Sequence, residues 1–138
     1  MRILALDVGD KRIGVAISDP LGIIASPLTK IDRTGTKSAI GTIVELVHLH
    51  DVELIIAGLP YSLDGTMGPQ AHRIKYFLTK ISEQIDIPIE TWDESYTTLA
   101  AEEKMAEAGI RKDKRKKQID AAAAALILQE YLDTVRTK

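Results

Sequence analysis

The chain has 138 residues, 45% of them apolar and 28% charged, with no cysteine. That is the size of one domain, long enough to bury a core without staples, and the lack of cysteine excludes a disulfide scaffold, a thiol nucleophile and a thiolate zinc site while fitting a reducing cytosol. The formal net charge of −2 excludes a global pull toward polyanions, so any nucleic-acid site must be local.

Arg2 to Val8 reads as a buried strand, Ile3-Leu4-Ala5-Leu6 with Asp7 at its exit. That apolar run is too short for a secretion signal, and none in the chain nears the ~18 residues that cross a bilayer. A cytoplasmic location without a membrane partner is therefore expected. Gly9-Asp10 is a turn signal, and Arg12 to Ser18 completes a hairpin. After the turn Asp19-Pro20-Leu21-Gly22, Ile23 to Ile31 reads as a third strand, with Pro27 marking an edge or a bulge.

The period then becomes helical at Ile40, Ile43, Val44 and Val47, with Thr34 or Thr36 as the expected cap. Glu53 to Ala57 is a short strand ended by Gly58-Leu59-Pro60, and Asp64-Gly65-Thr66 is a loop. Pro69 suits the first turn of a helix to about Ile85, with Ala71, Ile74, Phe77, Leu78 and Ile81 as its core face. Ile87 to Trp92 is a fifth strand. Thr97-Thr98 would cap a helix over Leu99 to Ala108 that Gly109 ends, Ile110 to Lys117 reads as a basic loop, and Ile119 to about Val135 is a last helix. The order βββ-α-β-α-β-α-α predicts an α/β fold. A five-stranded mixed sheet, its first three strands antiparallel, would be flanked by helices in one domain over residues 1–138.

Three acidic positions stand out. Asp7 ends a buried strand; such a residue is often a turn former, but it is followed by Val8-Gly9 and by the cations Lys11 and Arg12. Asp93-Glu94 ends another strand, and Asp120 opens an alanine-rich helix whose small neighbours point that turn at the sheet. Three carboxylates converging on one sheet edge would repel one another without cations. Hard oxygen ligands suit Mg²⁺ or Mn²⁺, and two such ions can clamp and hydrolyse a phosphodiester without a nucleophilic side chain. Arg111, Lys112, Lys114, Arg115, Lys116 and Lys117 stand just before Asp120, where phosphates would be held. Tyr61, in the segment Gly58 to Thr66, is a candidate for stacking on a base. His48, His50 and His72 lack metal-ligand spacing and read as surface residues.

Four stretches in order, DVGDKRIGVAISD from Asp7, GLPYSLDGT from Gly58, Asp93 to Thr98 (DESYTT) and IDAAAAALILQEYL from Ile119, resemble the YqgF family. These are Holliday-junction-resolvase-like proteins assigned to pre-16S rRNA processing, and the resemblance spans nearly the whole chain. It implies a ribonuclease-H-like fold, divalent-metal nuclease activity, a cytoplasmic location and a role in maturing the 5′ end of 16S rRNA, with precursor ribosomal particles as partners. By position it makes Asp7 the first-strand acid, Glu94 the favoured ligand of the pair with Asp93, and Asp120 the acid of the last helix. The family usually has Arg after the acidic pair; this chain has Ser95, so either phosphate binding is weakened or Arg12 or Arg73 supplies that cation.

RNA is the favoured substrate and branched DNA the alternative; a junction resolvase would work as a symmetric dimer, a ribonuclease as monomer or homodimer. Two further readings stay open. The spacing Asp7 through Gly14 also fits the phosphate loop of the actin and sugar-kinase superfamily, which needs two lobes. The basic run alone would make a non-catalytic nucleic-acid or ribosome-associated module.

Overall fold

The computed structural model describes residues 1–60, 68–93 and 112–136, with side chains in the last stretch from Ala121 to Val135. Five strands, β1 (Ile3–Val8), β2 (Arg12–Ser18), β3 (Ala25–Asp32), β4 (Leu54–Leu59) and β5 (Ile89–Asp93), form one sheet in the order β3-β2-β1-β4-β5. The pairs β1/β2 and β2/β3 are antiparallel, and β1/β4 and β4/β5 are parallel. This is the mixed sheet the strand order predicts. Pro27 fits both expectations for it: β3 is an edge strand, and its register slips beside Pro27, where Ala16 pairs with Pro27 but Val15 pairs with Thr29.

Three described helices flank the sheet: α1 (Thr36–Leu49), α2 (Pro69–Ser82) and α3 (Lys112–Arg136). Strand alternation sorts the core into two layers. Leu4, Leu6 and Val8 of β1, with Ile13 and Val15 of β2 and Ile55, Ala57 and Leu59 of β4, face α1 and α2. Ile3, Ala5, Ala16, Leu54 and Ile56 face α3, which supplies Ala124, Ile127, Leu128 and Leu132. The cross-strand pair Ala5 and Ala16 presents only methyl groups to the alanine-rich helix, so backbone and sheet can approach closely. All five core-face residues expected of α2 are buried, and Pro69 stands in its first turn.

Three expectations need correction. Neither Thr34 nor Thr36 caps α1; Gly35 is the cap residue, no side chain bonds the helix end, and Thr36 is already helical. α2 stops at Ser82 because the chain must turn before Pro88. The basic stretch is not a loop from Lys112 onward. α3 begins there and carries Lys114, Arg115, Lys116 and Lys117 in its first turns. Lys, Arg and Gln are helix formers nearly as good as Leu, so a charged run continues a helix without an apolar stripe to announce it.

No described helix is long and apolar enough to cross a membrane.

Candidate nuclease site

The carboxyl ends of β1, β4 and β5 lie on one edge of the sheet, and the chain order reverses between β1 and β4. Open α/β sheets bind ligands outside this edge, at the reversal. Asp7 stands there, half-buried, the last residue but one of β1. It alternates with Ile3 and Ala5, so it shares the face that α3 covers.

Its flanks are unusual. Directly across β2 is Gly14, where a side chain would bring its Cβ within about 5 Å of that of Asp7. On the other side, Gly58 follows Ala57, the residue registered with Leu6, and shares the face of Leu54 and Ile56. Neither neighbouring strand offers a side chain beside the carboxylate. Carboxylate oxygens at such an edge are hard donors of the kind that suit a divalent cation.

The β1–β2 turn is drawn tight by a hydrogen bond from Gly9 N to Arg12 O of 2.8 Å. A Cβ on Gly9 would lie 2.7 Å from that same backbone oxygen, so only glycine fits. Arg33 clamps the turn from β3's end: its Nη1 donates to Gly9 O at 2.9 Å, its backbone N donates to Lys11 O at 2.8 Å, and its guanidinium lies 4.6 Å from the Phe77 ring centre. Lys11 is exposed on this turn, and Arg12 is half-buried at the start of β2, paired in register with Asp32.

α3 covers the face of the sheet that Asp7 shares. Gln129 sits at the far end of the sheet, where its Oε1 accepts from Ala25 N at 2.9 Å and its Nε2 donates to Ile23 O at 3.0 Å. Ala25 pairs with Ser18, whose Oγ accepts from Ile3 N at 2.8 Å, so Gln129 lies level with the start of β1. Tyr131 meets β5 instead near its carboxyl end, lying edge-on to Trp92 at 5.5 Å and donating to Glu90 Oε2 at 3.2 Å. Between these contacts α3 packs Ala124, Ile127, Leu128 and Leu132 on β1, β2 and β4. Position 120 is one turn before Ala124.

Asp93 ends β5 beside Leu59. Because Trp92 packs on the α3 face, Asp93 falls on the opposite face from Asp7. Glu94, Tyr61 and Arg111 lie outside the described residues, as do the side chains of Lys112, Lys114 to Lys117 and Asp120. Among the described residues no three His, Asp or Glu side chains form a metal-sized group, and two of the three expected ligands are not among them. His48 and His72 are exposed, and His50 follows the end of α1. The glycines beside Asp7 escape sequence reasoning because cross-strand neighbours depend on register; the clamp by Arg33 depends on a hairpin closing onto a residue 24 positions away.

The family model described as "RuvX: Holliday junction resolvase" matches residues 1–134. A protein of Desulforamulus reducens named "Putative pre-16S rRNA nuclease" is 46% identical over 134 residues, covering 97% of this chain and 98% of its own. A protein of the same name from Clostridium kluyveri is 47% identical over 135 residues, covering 98% of each chain. Among solved structures, Thermus thermophilus RuvC in complex with a Holliday junction matches with a TM-score of 0.61 at 15% identity, over 99% of this chain and 96% of that one. Fowlpox virus resolvase with its junction DNA matches at 0.59 and 15%, over 98% and 99%. The sheet is thus the ribonuclease-H-like sheet of the junction resolvases, and the chain belongs to the RuvX family of resolvase-like nucleases.

Proposed function

We propose that the chain is a Mg²⁺- or Mn²⁺-dependent phosphodiesterase that matures the 5′ end of 16S rRNA in the cytoplasm, on precursor ribosomal particles, with Asp7, Glu94 and Asp120 as its ion-holding carboxylates. The observation that carries it is Asp7: a half-buried carboxylate at the carboxyl edge, on the face under α3, with glycine on both flanks. Its oxygens are hard donors suited to these ions. When bound, two such ions would neutralise the phosphate and activate water.

The chain's own residues supply the rest. Asp7 fixes negative charge at the edge, with glycine level with it on both neighbouring strands. Asp93 faces away from Asp7, so of the acidic pair the role is assigned to Glu94. Asp120 is assigned to the site because it stands on α3, the helix that covers the face Asp7 shares. The basic first turns of α3, Lys112 and Lys114 to Lys117, precede Asp120 and would meet the phosphate backbone, as would Lys11 on the β1–β2 turn. Such contacts position a strand without reading its sequence, so substrate choice rests on shape.

RNA is favoured because the full-length relatives carry a pre-16S rRNA name. The family description favours a second reading, a resolvase cutting branched DNA, which would need a homodimer to cleave two strands symmetrically. Cleavage of precursor 16S rRNA and of a four-way junction, side by side with and without Mn²⁺, separates them. The proposal expects metal-dependent cleavage of the RNA, reduced about 10²–10³-fold by Asp7→Asn. Equal cleavage by Asp7→Asn would overturn it.

A further inference from the structure

The sheet face opposite α3 carries a second feature at the same edge. A cleft of about 600 Å³ opens beside Val8 and Gly9, immediately next to Asp7 in the chain, and is lined by Arg33, His72, Arg73 and Tyr76. It shares Thr36 and Tyr76 with a groove of about 650 Å³ between α1 and α2, flanked by Lys37 and Lys80. The two form one track leading away from the edge.

The charge of that track is against the average of the molecule. The whole chain has 20 acidic residues in 138, so a segment the length of α2 would carry about two; α2 has none, and it holds His72, Arg73, Lys75 and Lys80. Of the acids near the track, Asp10 lies 3.7 Å from Arg73 and Glu83 stands at the outer end. Four cations, Arg33, Arg73, Lys37 and Lys80, therefore outnumber two carboxylates. Arg33 is held rigid by Gly9 and Phe77, so its charge is placed before any ligand arrives.

Tyr76 identifies the ligand. It is 64% exposed in the middle of the track, with Lys80 Nζ 5.3 Å from its ring centre and Ile40 and Val44 on the groove floor. An aromatic face between cations is the combination that binds single strands: phosphates meet the charges and an unstacked base lies on the ring. A duplex keeps its bases stacked and cannot use it.

We propose that the α1–α2 groove binds the single-stranded nucleic acid that flanks the cleaved bond, a phosphate between Arg33 and Arg73 and a base on Tyr76. Its place in the reaction rests on the reading of the Asp7 edge given above; the binding itself does not.

The test measures fluorescence anisotropy of a labelled single-stranded RNA of about 12 nucleotides, and of its duplex, with the full chain in EDTA. The wild type is expected to prefer the single strand. Tyr76→Ala weakens it about tenfold and Tyr76→Phe restores it. The double variant Lys37→Ala/Lys80→Ala lowers the slope of log affinity against log salt by about 0.7 per lysine. Wild-type binding by both Tyr76→Ala and the double variant would overturn the proposal, as would a duplex bound as tightly as the single strand. If the groove variants bind normally while Asp7→Asn abolishes cleavage, the groove fails and the nuclease reading stands. If they lose binding while the wild type cleaves nothing, the groove stands and the nuclease reading fails.

Discussion

Single residues shape the two hairpin turns, one at the Asp7 edge and one at the opposite end of the sheet. Gly9 has no room for a methyl group, so Gly9→Ala should cost about 2 kcal/mol by denaturant titration, through displacement of the Arg12 carbonyl. Gly14 should behave differently. Gly14→Val fills the space beside Asp7, so divalent-ion affinity and cleavage should fall together. On the β2–β3 turn, Asp19 Oδ1 accepts from Ile24 N at 2.8 Å and Ile23 N at 2.7 Å. These bonds hold its carboxyl below the ordinary value of 3.8, the Ile24 amide most of all. The folded state therefore favours the ionised carboxylate, and its contribution is present above the unfolded pKa and lost as pH falls through the folded one. The melting-temperature gap between wild type and Asp19→Ala should be full at about pH 6 and shrink on acidification below about pH 4. A constant gap would show that the turn does not depend on the charge.

At the scale of elements, α3 does the most to join fold and site. Its fully buried Ile127 and Leu128 lie over the sheet's alanine pair, and Ile127→Ala should cost about 2–5 kcal/mol by chemical denaturation. The strands and the cores of α1 and α2 were legible in the sequence because alternation and 3.6-residue spacing report burial directly: Ala71, Ile74, Phe77, Leu78 and Ile81 fall on one stripe and are all buried. The start of α3 was not, since Lys112 to Lys117 carry no apolar stripe and charged runs read as loops. Asp7 was legible as an acid at the exit of a buried strand. The placement of Gly14 and Gly58 on either side of it was not, because it exists only once three strands are in register. The track between α1 and α2 was hidden for a similar reason: Lys37 and Lys80 are distant in the chain, and the informative signal was the absence of acids from α2 rather than any motif.

At the scale of the whole molecule, the two proposals assign the two faces of one sheet edge different tasks. The face under α3 carries the carboxylate of β1 and receives the helix that bears Asp120. The face under α1 and α2 carries cations and an exposed ring, with the β1–β2 turn as the ridge between them. In a chain of net charge −2, the proposed polyanion binding rests on a local group of cations, Arg33, Arg73, Lys37 and Lys80, rather than on the overall charge. The most direct measurement of the central claim is calorimetric titration of Mn²⁺ into the wild type, Asp7→Asn and Asp120→Asn. Binding by the wild type and its loss in both variants is the expected result; Asp120→Asn binding Mn²⁺ as the wild type does would contradict a site shared between β1 and α3.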